Sequence, residues 1–255
     1  MAHVESIWVY PIKGFDAMEV ESSSITRAGT LIWDREYAVV DADGETLNGK
    51  DIDDLHEITS AFDPETDALT LSVREADTTH QFGLTTERDE ANEWLSDFVG
   101  EPVELCRHEP PSFVDRPGLG PSVISTGTLE EIASWFDGMT TESARRRLRP
   151  NIEVGGVPAF WEDRFLGDDP SFEIGGTRFE GAESCARCVV PSRDPDSGEP
   201  TEEFRRRFVE HRRETLPEWA DEDTFDHLYT VMLITTVPEA YRGEEIRVGE
   251  TVMDE

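Results

Sequence analysis

Polar and apolar positions alternate over short stretches of this chain, and helical spacing is confined to a few segments. His3 to Pro11 alternates loosely in Ile, Val, Trp and Tyr, which predicts a strand. Glu19 to Thr26 carries less of the same pattern. Arg35 to Val40 runs into Asp41-Ala42-Asp43-Gly44 and Thr46-Leu47 leaves it, as in a hairpin. Leu69 to Val73, His80 to Leu84 and Val103 to Arg107 read as further strands. Thr86 to Val99 instead places Ala91, Trp94, Leu95 and Phe98 at helical spacing, with Gly100 suited to a left-handed cap. Glu109-Pro110-Pro111-Ser112 reads as a linker.

Beyond it, Val123-Ile124 leads to a helix. Thr128 and Glu131 fit a capping box, with Leu129, Ile132 and Trp135-Phe136 as its apolar stripe. Ser143 to Leu148 predicts a basic helix that must end near Pro150, and Phe204 to Glu214 another helix. Asn151 to Val154, Ser171 to Ile174, Leu228 to Val237 and a closing Glu245 to Val252 read as strands, with a Gly175-Gly176 turn. Many short strands with few helices predict an α+β, β-rich chain of two domains, 1–108 and 109–255.

Composition narrows the functions open to such a fold. The chain has 255 residues, 36% hydrophobic and 31% charged, and no stretch approaches the ~20 apolar residues of a membrane span. With 57 acidic and 23 basic residues its formal charge is −34, which disfavours nucleic acid and anionic lipid as partners. Lys13 and Lys50 are the only lysines; the other basic residues are Arg. A carboxylate-rich, lysine-poor surface suits high salt, which screens self-repulsion, so a halophilic origin is expected. Met1 to Tyr10 lacks the features of a secretory signal, which with three cysteines predicts a cytoplasmic protein.

Cys185-Ala186-Arg187-Cys188 is the densest local chemistry. It suits two core cysteines, a redox pair, or a thiolate ligand for a soft metal with Arg187 favouring ionisation; zinc lacks a second ligand pair. The Arg145-Arg146-Arg147-Leu148-Arg149 run is either a solvated helix face or an anion site, since Arg offers a planar bidentate fork. Ser125-Thr126-Gly127-Thr128 offers hydroxyl and N–H donors at a helix start, or simple capping. The six histidines are scattered, and no dinucleotide fingerprint, Walker loop or nucleophile elbow occurs.

Taken in order, these segments resemble one family. Tyr10-Pro11-Ile12-Lys13-Gly14 and Trp33 to Asp41 resemble the N-terminal β-barrel domain that accompanies MOSC domains. Arg149-Pro150-Asn151-Ile152, Cys185 to Cys188, Asp194-Pro195-Asp196-Ser197-Gly198 and Ile246 to Val252 resemble the MOSC domain, a β-barrel with a few flanking helices. The resemblance implies a molybdenum-cofactor enzyme of the amidoxime-reducing kind. Cys188 would be the catalytic metal ligand. Lys13, Arg35 and Arg149 would hold the pterin phosphate and Asn151 the pterin, with Ser125 and Thr126 as further cofactor contacts.

Three positions depart from the family pattern. Gly14 stands where the amidoxime reducers have Ser, Asn48-Gly49-Lys50 replaces a Thr-x-Arg-like segment, and Val157-Pro158 stands where Cys-Asp adjoins the site. The expected activity is reduction of N-hydroxylated small molecules by N–O cleavage. With no cluster motif or pyridoxal-phosphate domain, electrons are expected from a separate ferredoxin or flavoprotein. Sulfur transfer through a cysteine persulfide, and cofactor carriage without catalysis, are the alternatives.

Overall fold

The computed structural model describes residues 1–74, 76, 78–108, 113–167, 170–220 and 224–254. Its first part contains β1 (His3–Val9), β2 (Met18–Val20), β3 (Ser22–Ser24), β4 (Tyr37–Val40), β5 (Thr46–Leu47), β6 (Ile58–Asp63), β7 (Ala68–Val73), β8 (Thr79–Gly83), α1 (Arg88–Val99) and β9 (Glu104–Arg107). There follow β10 (Ser122–Ser125), α2 (Thr126–Ser134), α3 (Thr141–Leu148), β11 (Ile152–Gly155), β12 (Ser171–Ile174), β13 (Thr177–Ala186), α4 (Phe204–Glu214), β14 (Thr230–Thr236), β15 (Glu245–Arg247) and β16 (Val252–Asp254). The expected linker at 109–112 lies outside the described residues.

One eight-stranded sheet, ordered β16-β12-β13-β14-β10-β11-β1-β2, forms the centre. Its strand β1 comes from the N-terminus and pairs antiparallel with β11, with His3 opposite Gly155 and Ile7 opposite Ile152. Strand β1 also meets the segment that leads into β16, through the His3–Thr251 bridge and the Val4 N–H, which donates to Glu250 O. Among the described residues the ladder does not close into a barrel. Val4, Ile7, Val9, Val123, Ile152, Val154, Phe172 and Phe179 fill its buried side. Burying one such side chain stabilises by about 1.5–3 kcal/mol.

The smaller sheets β5-β4-β9 and β6-β7-β8 share a second core with α1, through Leu69, Leu71, Leu84, Ala91, Leu95 and Leu105. Gly100 caps α1 at φ 84°, as its position predicts. A third core lies under the helices. Phe204 and Phe208 are one turn apart on α4, and both are buried against Tyr229, with Phe204 stacked on Phe136 at 4.5 Å between ring centroids.

Several expectations need correction. Helix α2 is capped by Ser125, whose Oγ accepts from the Thr128 N–H at 3.0 Å, so Thr128 lies inside the helix rather than at its cap. The single strands expected over 19–26 and 245–252 are each two strands: β2 joins the large sheet, while β3 pairs with β15 and β16 joins β12. Gly249 makes the second break at φ 83°, its N–H donating to Val4 O. The strands β6 and β13 were not foreseen at all.

Candidate functional site

A cavity of about 580 Å³ opens between the β1–β2 turn, the 48–60 segment, α3 and the segment after β13. Lys13, Arg35, Arg149, Asn151 and Cys188 all line it. Ser125 and Thr126 do not: Ser125 is spent on capping, and its Oγ also meets Thr128 Oγ1 and Pro158 O. Val157 and Pro158 are likewise absent from the wall, and Val157 packs on the core of the large sheet. The departure at 157–158 therefore leaves the cavity wall untouched.

The wall inverts the charge of the molecule. Two lysines and nine arginines line it, eleven of the chain's 23 basic residues, against only five of its 57 carboxylates, Asp16, Asp34, Asp115, Glu142 and Asp194. Both lysines of the chain are here.

Tyr10 is the platform for two of these cations. Its hydroxyl donates to Pro150 O at 3.0 Å, and burial pushes its pKa up. The Arg35 and Arg149 guanidinium carbons lie 4.8 and 4.1 Å from the Tyr10 ring centroid. Arg35 stands in the left-handed region at φ 56° and pairs with the buried Asp34 at 2.6 Å. Burial opposes the Arg35 charge, but Asp34 more than offsets it and raises the pKa. Asp34 also accepts from the Tyr10 N–H at 3.1 Å, so one carboxylate fixes platform and guanidinium together.

Arg149 caps α3, also left-handed at φ 59°. Its Nη2 is buried without a hydrogen-bond partner, and burial, with a contribution from Arg35, pulls its pKa down to about 10. A buried, unpartnered donor on a cationic wall is the signature of a group that awaits an anion. Lys13 holds Asp115 at 2.7 Å, and although burial opposes it, this pairing keeps the Asp115 carboxyl below the usual carboxylate range.

Asn151 is largely committed to the fold. Its Oδ1 accepts from Ser122 N and Oγ, each at 3.1 Å, and its Nδ2 donates to Trp8 O at 3.1 Å. The side chain thereby pins β1 to β10 where they meet the cavity. One amide hydrogen is left for a ligand.

The two cysteines of the pair have different surroundings. Cys185 is buried in the core under the helices, while Cys188 is exposed at the cavity edge. Arg187, expected to support a metal-bound thiolate, donates instead to Cys185 Sγ at 3.0 Å and to Leu148 O at 2.9 Å. Among the described residues no cluster of three or more His, Cys, Asp or Glu is placed to hold a metal.

The basic run of α3 is neither a solvated face nor a free anion site. Arg145 pairs with Glu142 and the fully buried Glu153, Arg146 with Asp196, and Arg147 with Asp194. The pairs of Arg146 and Arg147 fasten the 194–198 turn at the cavity. Asp196 also takes Arg74 from the end of β7 at 3.1 Å, linking the two parts of the chain.

A family model for the MOSC N-terminal beta barrel domain matches residues 1–102, and one for the MOSC domain matches residues 122–253. The chain belongs to the MOSC family. Similar proteins include the molybdenum cofactor sulfurase of Oryza sativa subsp. japonica, 25% identical over 243 residues that make 77% of this chain and 29% of that protein. The mitochondrial amidoxime reducing component 2 of Bos taurus is 25% identical over 233 residues, 76% of this chain and 67% of that one. Component 1 of Homo sapiens is 24% identical over 236 residues, with 76% and 67% covered. This MOSC chain thus spans under a third of the sulfurase and about two thirds of the amidoxime components. No helix among its described residues is long and apolar enough to cross a membrane.

The residues that sequence reading missed are Asp34, Asp115 and Lys50. The confinement of both lysines to one cavity was foreshadowed by their rarity, though only Lys13 was singled out.

Proposed function

We propose that this MOSC protein binds the molybdenum cofactor and reduces N-hydroxylated compounds. The observation that carries the reading is a buried, unpartnered Arg149 donor and an exposed Cys188 lining one strongly cationic cavity. The donor set fits the group: a phosphate needs guanidinium and ammonium donors, and a soft metal needs a thiolate. Lys13, Arg35 and Arg149 hold the phosphate, Asn151 offers its remaining amide hydrogen to the pterin, and Cys188 supplies the thiolate. When bound, the cofactor supplies two-electron reduction: substrate takes up two electrons and two protons, its N–O bond breaks, and water leaves.

The chain's own residues set the conditions. Tyr10 and Asp34 hold Arg35 in place before any ligand arrives, so little ordering is needed on binding. The clasped 194–198 turn forms part of the wall, and Cys188 is exposed, so a metal held by its thiolate would be within reach of substrate. Three cysteines cannot hold an iron–sulfur relay beside this site, so electrons come from a separate ferredoxin or flavoprotein.

The test compares two variants for reduction of an aromatic N-hydroxyamidine with a dye donor, with metal and pterin content measured alongside. Cys188→Ser should abolish activity, because a hydroxyl is a poor substitute for a soft thiolate. Cys185→Ser should keep much of it, since a serine oxygen still accepts from Arg187. Equal loss in both, with one zinc per chain in the unmodified protein, would overturn the reading. Labelled sulfur appearing on a cysteine during turnover would favour sulfur transfer instead.

A further inference from the structure

The rim of the cavity carries a cation that neither the fold nor the proposed cofactor contacts employ. On α3, Arg145 holds Glu142 and Glu153 while Arg146 and Arg147 hold the 194–198 turn; Lys13 holds Asp115, Arg35 holds Asp34, and Arg149 is buried on Tyr10. Lys50 differs. Its side chain is exposed, and among the described residues no carboxylate lies within salt-bridge distance of its ammonium; Asp115, already held by Lys13, feels its charge only at longer range.

Its position is defined by the turn that carries it. The Lys50 N–H donates to Asn48 Oδ1 at 3.0 Å, and the Asn48 N–H donates to Asp51 Oδ2 at 3.1 Å. This turn is wedged between the two groups that define the site. A Cβ placed on Gly14, beside Lys13, would lie 3.5 Å from Asn48 Cα. A Cβ placed on Gly49 would lie 3.9 Å from Val190 Cγ2, two residues beyond Cys188. Lys50 therefore stands at the rim between the phosphate-binding lysine and the thiolate.

An ammonium on a flexible stem acts as a point charge with three donors, and at an exposed rim one such charge is enough to pair with a single carboxylate. The outer surface works against an anion, since a charge of −34 repels it at long range. Salt shortens that repulsion to about 3 Å at about 1 M, but a direct contact inside the cavity mouth survives it. We propose that Lys50 is a specificity residue and that the natural substrate carries a carboxylate set apart from its N–O group. This inference rests on the reductase reading above.

The experiment compares 4-carboxybenzamidoxime with benzamidoxime, which differ only in the carboxylate, as substrates of the cofactor-loaded protein. A partly exposed ion pair is worth up to ~1 kcal/mol, so kcat/KM should favour the carboxylated compound roughly five-fold. Lys50→Gln should bring the ratio to near one, Lys50→Glu should invert it, and Lys50→Arg should restore much of it. Calorimetric binding of the non-reducible pair 4-carboxybenzamide and benzamide gives a readout that needs no turnover, with the same order expected. If no amidoxime is reduced but the carboxylated amide still binds more tightly through Lys50, the reductase reading fails and the carboxylate site stands. Absence of any carboxylate advantage in binding, or an advantage that survives in Lys50→Gln, overturns the proposal.

Discussion

Arg147 and Arg149 lie two positions apart at the end of α3 and have opposite fates. Arg147 is nearly buried and saturated: its guanidinium donates to Ser143 Oγ, Pro191 O, Arg193 O, Thr201 Oγ1 and Asp194 Oδ2. Arg149 is turned by its left-handed backbone onto Tyr10 and keeps a buried nitrogen without a partner. In the first case the fold itself compensates the charge, and the arginine builds a wall. In the second the compensation is left to a ligand, and the arginine becomes a site. Desolvation is common to both, so only the partner count separates structure from function here.

The largest response should come from outside both regions. With −34 formal charge and a cationic cavity, the repulsion resides on the outer surface, and its range falls from ~30 Å in ~0.01 M salt to ~3 Å at ~1 M. The melting temperature should rise steeply with KCl, by more than any single substitution changes it. A flat response between dilute buffer and molar KCl would refute the halophilic expectation.

Next, Arg149→Gln should reduce pterin content about ten-fold or more while changing the melting temperature of the cofactor-free protein little, because a desolvated charge is removed along with its contact on Tyr10. Both can be read from one preparation by pterin fluorescence and a thermal melt. A large loss of stability would place Arg149 among the wall-building arginines after all. Arg147→Ala should behave in the reverse sense. It removes hydrogen bonds from a charged, buried group and strands backbone carbonyls, at a cost of about 2–3 kcal/mol. For a chain of this size that lowers the melting temperature by roughly 4–12 °C.

The smallest effect is one of pH. Burial raises the Asp194 pKa, but the N–H groups of Ser197 and Asp196, and then Arg147, more than offset this and hold it below the ordinary value. A depressed carboxylate contributes stability that is present above its unfolded pKa of about 3.9 and is lost as pH falls through the lower folded value. Between about pH 5 and 3, the unmodified protein should therefore lose slightly more stability than Asp194→Asn. The carboxylate is 38% exposed, so the difference should stay under about 1 kcal/mol. Equal slopes in the two melting series would detach Asp194 from the clasp.

Much of this arrangement was legible before the structure, and what was not has identifiable causes. Apolar spacing located β7, α1 and α4, each with a buried side, and β14 showed as a continuous β-branched run because it is buried on both faces. Strand β13 escaped because its buried positions lose their alternation where register shifts occur after Gly181 and after Ser184. A Cβ at Gly181 would run into Phe165 O, so this glycine answers to tertiary contact rather than to local pattern. Strand β6 was missed because its middle, Thr59 to Ala61, has no buried residue. The α2 cap was displaced by three residues because Ser125 and Thr128 are equally good hydroxyl caps by type. Only the backbone, extended at Ser125 with φ −83° and ψ 147°, decides between them. At the site, motif resemblance brought Lys13, Arg35, Arg149, Asn151 and Cys188 together but carried Ser125 and Thr126 along. The pairing of Arg187 with Cys185 was hidden because adjacency in sequence does not fix where a guanidinium points.

The pairing of β1 with β11 sets a timetable for the nascent chain. His3 and Gly155 are partners in the ladder, as are Ile7 and Ile152. At roughly 5–20 residues per second, a ribosome delivers β11 about 7–30 s after β1. Throughout that delay β1 has only the short strand β2 to pair with, and Val4, Ile7 and Val9 lack the rest of their core, while β6, β7, β8 and α1 can assemble from neighbouring sequence. Strand β1, made long before its partner, is thus seated late, and the cavity, whose Tyr10 platform follows that strand directly, is finished only when it docks.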